Sequence, residues 1–241
     1  MKTLVAMDTK SVVGKSLVEE RTGQPCENFR NGDHTTTLIR TENGKVIEIQ
    51  HDVMTPQPYN RLYQLTGTKG FANKYPIEGY ALDAKQLNAS GVVPEVDNLN
   101  SHSFMPKKDM EALVQKYQHP ILKKYGEMAK EVGGHGGMDF IMDSRLVYCL
   151  QNGLPLDMDV YDLAEWCCLA ELGELSMDNN CAAVAFPDFT RGEWNKVKGY
   201  KHAYASPEDE SVAMEKAKKI TAKLKEKGAV EWAGEAVENK K

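Results

Sequence analysis

The sequence lacks any excess of positive charge. Its 30 lysine and arginine residues stand against 35 aspartate and glutamate residues, which gives a net charge of -5. A protein that binds nucleic acid through its phosphate groups needs a basic surface. We therefore expect no nucleic-acid partner.

Long apolar runs are also missing. None approaches the roughly 20 residues that cross a bilayer. The N-terminus reaches an acid at Asp8, too early to form the apolar region of a signal peptide. We expect no membrane association and, if Met1 is the true start, a cytoplasmic protein. An export signal in a preceding segment would leave the compartment unknown.

Cysteine pairs at motif spacing are also lacking. The five cysteines are odd in number and contain no Cys-x-x-Cys pair. This spacing predicts neither a disulfide framework nor a zinc knuckle. Three of them stand in apolar helical sequence, which favours buried thiols that act as small hydrophobic groups. The cysteines are Cys26, Cys149, Cys167, Cys168 and Cys181.

Several motifs of catalysis and ligand binding are absent. There is no Gly-x-Ser-x-Gly elbow for a serine nucleophile, and neither glycine-rich phosphate motif occurs. The six histidines show no spacing typical of metal ligands. No pair of acids is placed by the sequence as in a conventional glycosidase. The residues alone therefore predict no bound nucleotide and no metal.

The chain does contain one unusual loop, Gly133 to Phe140, with the sequence GGHGGMDF. Glycine loses more conformational freedom on folding than any other residue. Two glycine pairs around one histidine therefore indicate a sharp turn of the backbone close to a neighbouring group or a ligand. A helical pattern ends at Val132 and another begins at Met138. The loop is a candidate wall of a binding site, in which His135 either contacts substrate or is a structural loop histidine.

A second candidate is Tyr59, within Thr55–Arg61. Two prolines stiffen this segment and would hold the tyrosine in a fixed orientation. A phenol presented in this way can hydrogen-bond a hydroxyl while its ring stacks on a sugar. The alternative is a tyrosine packed under the turn.

The pattern of the first half of the chain predicts antiparallel strands. His34–Val53 predicts a hairpin in which Asn43-Gly44 forms a two-residue type I′ turn. This register sets Arg40 opposite Ile47 and Leu38 opposite Ile49, and it places Leu38 on the apolar face with Ile47, Ile49 and Val53. The polar face would meet solvent, a ligand or a partner subunit; it carries Thr35, Thr37, Glu48, Gln50 and Asp52. Arg61–Leu65 and Gly70–Ala72 predict two further strands.

From about Pro106 the apolar period changes to 3.6 residues. One helix is expected to start at Pro120, and a buried helix to end at Asn152-Gly153. Asp157 or Asp159 would cap the next helix. The fold class is therefore α+β, an open and mainly antiparallel sheet with helices packed on one face.

We expect two regions along the chain. Residues 1–205 would form the α+β domain, and residues 206–241 a helical tail. The tail segment Pro207–Lys227 begins acidic and ends rich in lysine, as a helix dipole favours. It predicts a surface helix, with partner docking as the alternative.

Taken together, ordered motifs across the chain resemble one group of proteins. The motifs are His51-Asp52, Pro56-Gln57-Pro58-Tyr59, Gly67-Thr68-Lys69-Gly70, Gly133 to Phe140, Asn152 to Asp157 with Val160-Tyr161-Asp162, and Pro187 to Trp194. They resemble the C-terminal part of the Gfo/Idh/MocA oxidoreductase superfamily. Within it, the chain is most similar to family 109 of the glycoside hydrolases, the NAD-dependent α-N-acetylgalactosaminidases.

The resemblance implies an N-terminal Rossmann domain that holds NAD and a C-terminal α+β domain that supplies the substrate pocket. It also implies a possible homo-oligomer through the sheet. The substrate would be an N-acetylgalactosaminide or related saccharide, cleaved by transient oxidation at sugar C3, elimination and re-reduction. Such chemistry needs no flanking carboxylate pair. By matching motifs, Tyr59 falls on a substrate-binding tyrosine and His135 on the family's glycine-histidine loop, and we expect both residues to bind substrate.

The chain also departs from the family. The Rossmann domain is absent, as are the catalytic tyrosine and the Tyr-Pro-Thr-His segment expected before residue 1, and Gln57 stands where arginine is expected. We expect an N-terminally truncated domain that neither binds NAD nor acts alone. The alternatives are a non-catalytic saccharide-binding or oligomerisation module, and part of a sugar dehydrogenase of the same superfamily.

Overall fold

The computed structural model describes residues 1–85, 99–154 and 156–195. In these residues, seven strands are β1 (Thr3–Asp8), β2 (Thr35–Arg40), β3 (Val46–His51), β4 (Gln64–Thr66), β5 (Gly70–Asn73), β6 (Gly79–Leu82) and β7 (Val184–Ala185). Five helices are α1 (Val13–Thr22), α2 (Lys107–Tyr117), α3 (Pro120–Val132), α4 (Met138–Asn152) and α5 (Val160–Asp178). This content confirms the α+β class.

The chain divides into two compact units. The first contains residues 1–113 and 164–187, and the second contains residues 114–163 together with 188 onward. The predicted tail, residues 206–241, and the predicted boundary at residue 205 lie outside the described residues.

The first unit contains two open antiparallel sheets. One has the order β3-β2-β1-β7 and the other β4-β5-β6. Leu4, Ala6 and Ile39 are fully buried on one face of the larger sheet, and Leu169 and Leu172 of α5 pack against them. The predicted packing of helix on sheet is confirmed for this part of α5, but the strands form two sheets where the sequence suggested one.

The predicted register of the β2-β3 hairpin is wrong by one residue. Ile39 pairs with Ile47 and Thr37 with Ile49. The cause is a three-residue loop, closed by a hydrogen bond from the Thr41 amide to the Lys45 carbonyl, in which only Gly44 takes a positive φ. Because a one-residue shift exchanges the faces of a strand, Ile39 is buried and Leu38 is exposed.

Burial of α4 also differs from expectation. Leu146, Val147 and Leu150 are 46%, 49% and 66% exposed, whereas Cys149 is fully buried. The apolar residues of this helix surround its axis, and no single neighbour can cover them all. Among the predicted buried thiols, Cys149 is buried and Cys167 is exposed.

Ser176 of α5 joins the helix to the sheet through two hydrogen bonds. Its buried hydroxyl accepts from the Ala6 amide at 3.0 Å and donates to the Ala182 carbonyl at 2.7 Å. Ser176→Ala leaves both backbone groups without this partner, so we expect a loss of about 1–3 kcal/mol in the free energy of unfolding. Urea denaturation measures this. The exposed Ser101→Ala is the control, and equal stability of the two variants would contradict the role of Ser176.

Candidate functional site

The glycine-histidine loop connects α3 to α4 within the second unit. All four of its glycines have positive φ, including +73° at Gly134 and +97° at Gly137. Gly137 is buried against α3, and a Cβ there would lie 2.6 Å from the carbonyl carbon of Ala129. Only glycine therefore allows this close approach of the loop to the end of α3.

His135 lies at the tip of this loop with φ +47° and a side chain that is 76% exposed. Its Nδ1 lies 2.9 Å from Oδ2 of Asp139, in the first turn of α4. The tautomer that carries hydrogen on Nδ1 donates to this carboxylate and leaves Nε2 as a hydrogen-bond or proton acceptor. An exposed and oriented imidazole can therefore accept a proton or a hydrogen bond from a bound hydroxyl.

A cavity of about 710 Å³ lies beside the loop, between α3 and α4. Its size falls within the range of about 300–1,000 Å³ typical of small-molecule sites. The lining is mainly apolar with several polar side chains. It comprises Ile121, Tyr125, Val132, Gly133, Gly134, Asp139, Phe140, Ile141, Asp143, Ser144, Arg145, Val147, Tyr148 and Gln151.

One wall of this cavity is held by an ion pair. Nε and Nη2 of Arg145 each lie 3.0 Å from a carboxylate oxygen of Asp157. Two parallel hydrogen bonds orient the guanidinium, which also lies 5.3 Å from the centre of the Tyr148 ring. Asp157 therefore pairs with Arg145, and Asp159 is the residue that caps α5 by accepting from the amides of Tyr161 and Asp162.

Tyr59 lies in the first unit, in the extended segment that follows β3, and its side chain is 70% exposed. The Arg61 Nε donates a hydrogen bond to the Tyr59 hydroxyl. The Tyr75 ring stands edge-on to the Tyr59 ring, with centroids 5.9 Å apart. The ring is thus presented on the surface, and not packed under the turn. Tyr59 and His135 belong to different units, and their substrate-binding roles stay predictions.

Asp52 follows β3 directly, and its hydrogen bonds hold the start of the segment that carries Tyr59. Its carboxylate accepts from the Thr55 hydroxyl at 2.6 Å, from the Thr55 amide at 3.0 Å and from the Met54 amide at 3.2 Å. His34 Nδ1 lies 3.3 Å away. The hydrogen bond from the Thr55 hydroxyl, helped by those from the amides, lowers the pKa of Asp52 to about 2. The sequence predicted Asp52 on a polar strand face and in the His51-Asp52 motif, but not in this turn. The signal that could have found the turn is an acid three residues before a threonine.

The lowered pKa of Asp52 predicts acid sensitivity. Because the folded-state pKa lies below the ordinary value of 3.8, ionised Asp52 stabilises the fold above about pH 4. This contribution is lost as the pH falls from 4 towards 2. The melting temperature of the wild type should therefore fall more steeply across this window than the melting temperature of Asp52→Asn. Circular dichroism melts measure this. Asp143→Asn, an exposed control, should follow the wild type, and identical slopes for all three proteins would contradict the assignment.

The described residues do not fit a dinucleotide. The N-terminus of α1 is filled by the Asp33 carboxylate, which accepts from the amides of Val12 and Gly14 at 2.8 Å. These amide hydrogen bonds, chiefly that from Gly14, lower the pKa of Asp33 and keep it charged. The glycine-histidine loop follows helix α3, whereas the glycine-rich loop of a dinucleotide site follows a strand. The Asp139 carboxylate also lies beside the glycine-histidine loop.

Within residues 1–85, 99–154 and 156–195, no group of three or more His, Cys, Asp or Glu side chains is arranged to hold a metal ion. No helix there has the length and apolar character needed to cross a membrane.

The chain is similar to known proteins over most of its length. The model of the family described as "Glycosyl hydrolase 109, C-terminal domain" matches residues 1–196. Glycosyl hydrolase family 109 protein 5 of Phocaeicola vulgatus is 84% identical over 99% of this chain and 46% of its own length. Protein 3 of the same organism is 65% identical, over 94% of this chain and 41% of its own length. Protein 1 of Bacteroides fragilis is 60% identical, over 85% of this chain and 44% of its own length.

The chain thus spans about half the length of the curated relatives that it matches. The family match covers most of the chain and includes β1 to α5, the Tyr59 segment and the glycine-histidine loop. The chain therefore belongs to the C-terminal domain family of glycosyl hydrolase 109.

Proposed function

We propose that this chain is the substrate-binding part of a longer NAD-dependent glycosidase that acts on an N-acetylgalactosaminide or a related saccharide. The observation that carries the proposal is the family match over residues 1–196. The exposed Tyr59 ring and the oriented His135 support it, since both can contact a sugar.

In this proposal the Tyr59 ring packs on a sugar face, and its hydroxyl hydrogen-bonds the sugar. Arg61 Nε donates to this hydroxyl, so the phenolic hydrogen is available to donate to a sugar oxygen. Arg61 Cζ also lies 5.6 Å from the ring centre. The arrangement would bind and orient the sugar rather than transfer a proton.

We also propose that His135 contacts the substrate. Asp139 holds its Nδ1 and so fixes the orientation of the ring. Nε2 then accepts a hydrogen bond from a sugar hydroxyl or takes its proton.

The cofactor proposed for the longer protein is NAD, held by residues outside this chain. When bound, NAD supplies the transient oxidation and re-reduction at sugar C3 that permit elimination of the aglycone. Because the described residues do not fit a dinucleotide, none of them is assigned to cofactor binding. We also propose a homo-oligomer through the sheet, since all six residues of its edge strand β3 are exposed.

The test uses a joined protein, in which the N-terminal part of the Phocaeicola vulgatus family 109 protein 5 precedes this chain in one polypeptide. Nitrophenyl release from nitrophenyl α-N-acetylgalactosaminide is assayed with and without added NAD. We expect release that depends on NAD and yields no net NADH. Accumulating NADH would support a sugar dehydrogenase, and release that is independent of NAD in cofactor-depleted protein would contradict the proposal.

A second candidate function is a non-catalytic saccharide-binding or oligomerisation module. The observation that favours it is the exposed Tyr59 ring, with the half-buried Tyr75 ring edge-on to it, in a chain whose described residues do not fit NAD. A stable dimer that binds N-acetylgalactosamine, with binding lost in Tyr59→Phe, would support this module. A joined protein that lacks glycosidase activity would further support the non-catalytic module.

A further inference from the structure

Asp52 is the centre of the turn that leads from β3 to Tyr59. Its Oδ1 accepts from the amides of Met54 and Thr55, and its Oδ2 accepts from the Thr55 hydroxyl. The Gln57 side chain donates to the Asp52 carbonyl at 3.4 Å, which closes the segment back on its start. Because a proline fixes φ on each side of Gln57, the direction of the chain at Asp52 is passed on to Tyr59.

His34 joins this turn to the larger sheet. Its carbonyl accepts from the Thr9 amide at 2.9 Å, and its amide donates to the Thr9 hydroxyl at 3.1 Å. Its ring lies between two side chains, with Nε2 3.2 Å from the Thr36 hydroxyl of β2 and Nδ1 3.3 Å from Oδ2 of Asp52. The Asp52 side chain is only 8% exposed, so water competes little for its oxygen atoms.

The contact with Asp52 needs a donor on the ring and not a positive charge. Thr36 can donate its hydroxyl hydrogen to Nε2, and Nδ1 then carries the hydrogen that His34 donates to Asp52. A protonated ring donates from Nδ1 in the same way. The link between His34 and Asp52 is therefore a directional hydrogen bond in both states of the ring.

An apolar contact holds the same turn. A Cβ on Gly14 would lie 2.8 Å from Sδ of Met54 and 2.8 Å from Cε1 of Phe29, so the Met54 side chain packs closely against α1. Apolar contacts restrict position but not direction, whereas a hydrogen bond restricts both. The direction of the turn therefore depends on the contact between His34 and Asp52.

We propose that His34 is a positioning residue for Tyr59. Through the Asp52 carboxylate it orients the segment that presents the Tyr59 ring to the sugar. The inference rests on the saccharide-binding role that is proposed above for Tyr59. Because stacking and hydrogen bonding both depend on the orientation of the ring, a small shift of the segment weakens both contacts.

Two substitutions separate the contacts of His34. The amide nitrogen of asparagine can take the place of Nδ1, whereas that of glutamine takes the place of Nε2. His34→Asn thus keeps a donor to Asp52, and His34→Gln loses it but keeps the contact with Thr36. In the joined protein, we expect His34→Gln to lower kcat/KM by about threefold to tenfold through a raised KM, with kcat within about twofold. His34→Asn should retain kcat/KM within about twofold of the wild type.

A second arm asks whether the effect passes through Tyr59. In the Tyr59→Ala background, His34→Gln should cause no further loss of kcat/KM, because the ring that it positions is gone. His102→Gln, at an exposed histidine of the first unit, is the matched control and should leave kcat/KM unchanged.

Hydrogen exchange of the 241-residue chain gives a readout that needs no activity. The amides of Met54 and Thr55 both donate to Asp52, so their exchange reports on the turn directly. We expect them to exchange at least about fivefold faster in His34→Gln than in the wild type or in His34→Asn.

Two results would overturn the inference. One is the same exchange rate of these amides in His34→Gln and the wild type. The other is an equal loss of kcat/KM from His34→Gln with and without the Tyr59 ring. The proposed function fails separately: a joined protein without activity, alongside faster exchange in His34→Gln, would contradict the glycosidase and still support the anchoring of the segment by His34.

Discussion

Gly137→Ala is expected to destabilise the second unit strongly. The new Cβ would lie 2.6 Å from the carbonyl carbon and 2.7 Å from the carbonyl oxygen of Ala129, and these are backbone atoms that cannot turn aside. Alanine would also have to adopt φ +97°. Overpacking and backbone strain each cost about 1–3 kcal/mol, so we expect a loss of about 2–6 kcal/mol in the free energy of unfolding. Guanidinium denaturation, followed by circular dichroism, measures this loss.

Gly136→Ala separates the two causes. Gly136 has φ +70°, but a Cβ there would meet no atom within 4 Å. Its substitution carries only the conformational cost, which is about 1 kcal/mol for a single residue in the left-handed region. Equal losses for the two variants would mean that the contact with Ala129 does not constrain the loop.

Tyr59→Ala in the joined protein is expected to lower kcat/KM by about tenfold to a hundredfold. The substitution removes ring packing worth about 0.5–1.5 kcal/mol and a hydrogen bond worth a similar amount. Tyr59→Phe keeps the ring and should lose only the hydrogen-bond part, about threefold to tenfold. Initial rates on a nitrophenyl glycoside measure both variants.

Tyr63 provides the matched control for Tyr59. It is also an exposed tyrosine, at 71% against 70% for Tyr59, and it lies four residues further along the chain. Tyr63→Ala should leave kcat/KM within about twofold of the wild type, as expected for a surface substitution outside the site. If both alanine variants lose activity equally, the segment is merely perturbed and Tyr59 has no specific role.

Local signals in the sequence predict much of the helical part. Pro120 starts α3 because proline suits the first helical turn. Gly153 ends α4 in the left-handed conformation that its lack of a side chain allows. These features depend on a few adjacent residues, and the sequence displays them directly.

Features that depend on distant residues could not be predicted. Asp33 caps α1 from about 20 positions further along the chain, and no spacing rule connects the two. The β2-β3 register depends on whether Asn43-Gly44 closes a two-residue or a three-residue loop, and both are compatible with these residues.

The candidate site shows the same limit. The prolines before Tyr59 predict a presented ring, and the ring is exposed. The contact between His135 and Asp139 requires His135 at φ +47°, a conformation that its residue type alone does not indicate.

We propose that this chain supplies contacts to the sugar while NAD is bound elsewhere in the longer protein. Isothermal titration with NAD, run in parallel on the isolated chain and on the joined protein, separates this arrangement from one in which the chain itself binds NAD. We expect NAD binding by the joined protein, retained in Tyr59→Ala, and no detectable heat from the isolated chain. Micromolar affinity of the isolated chain for NAD would contradict it.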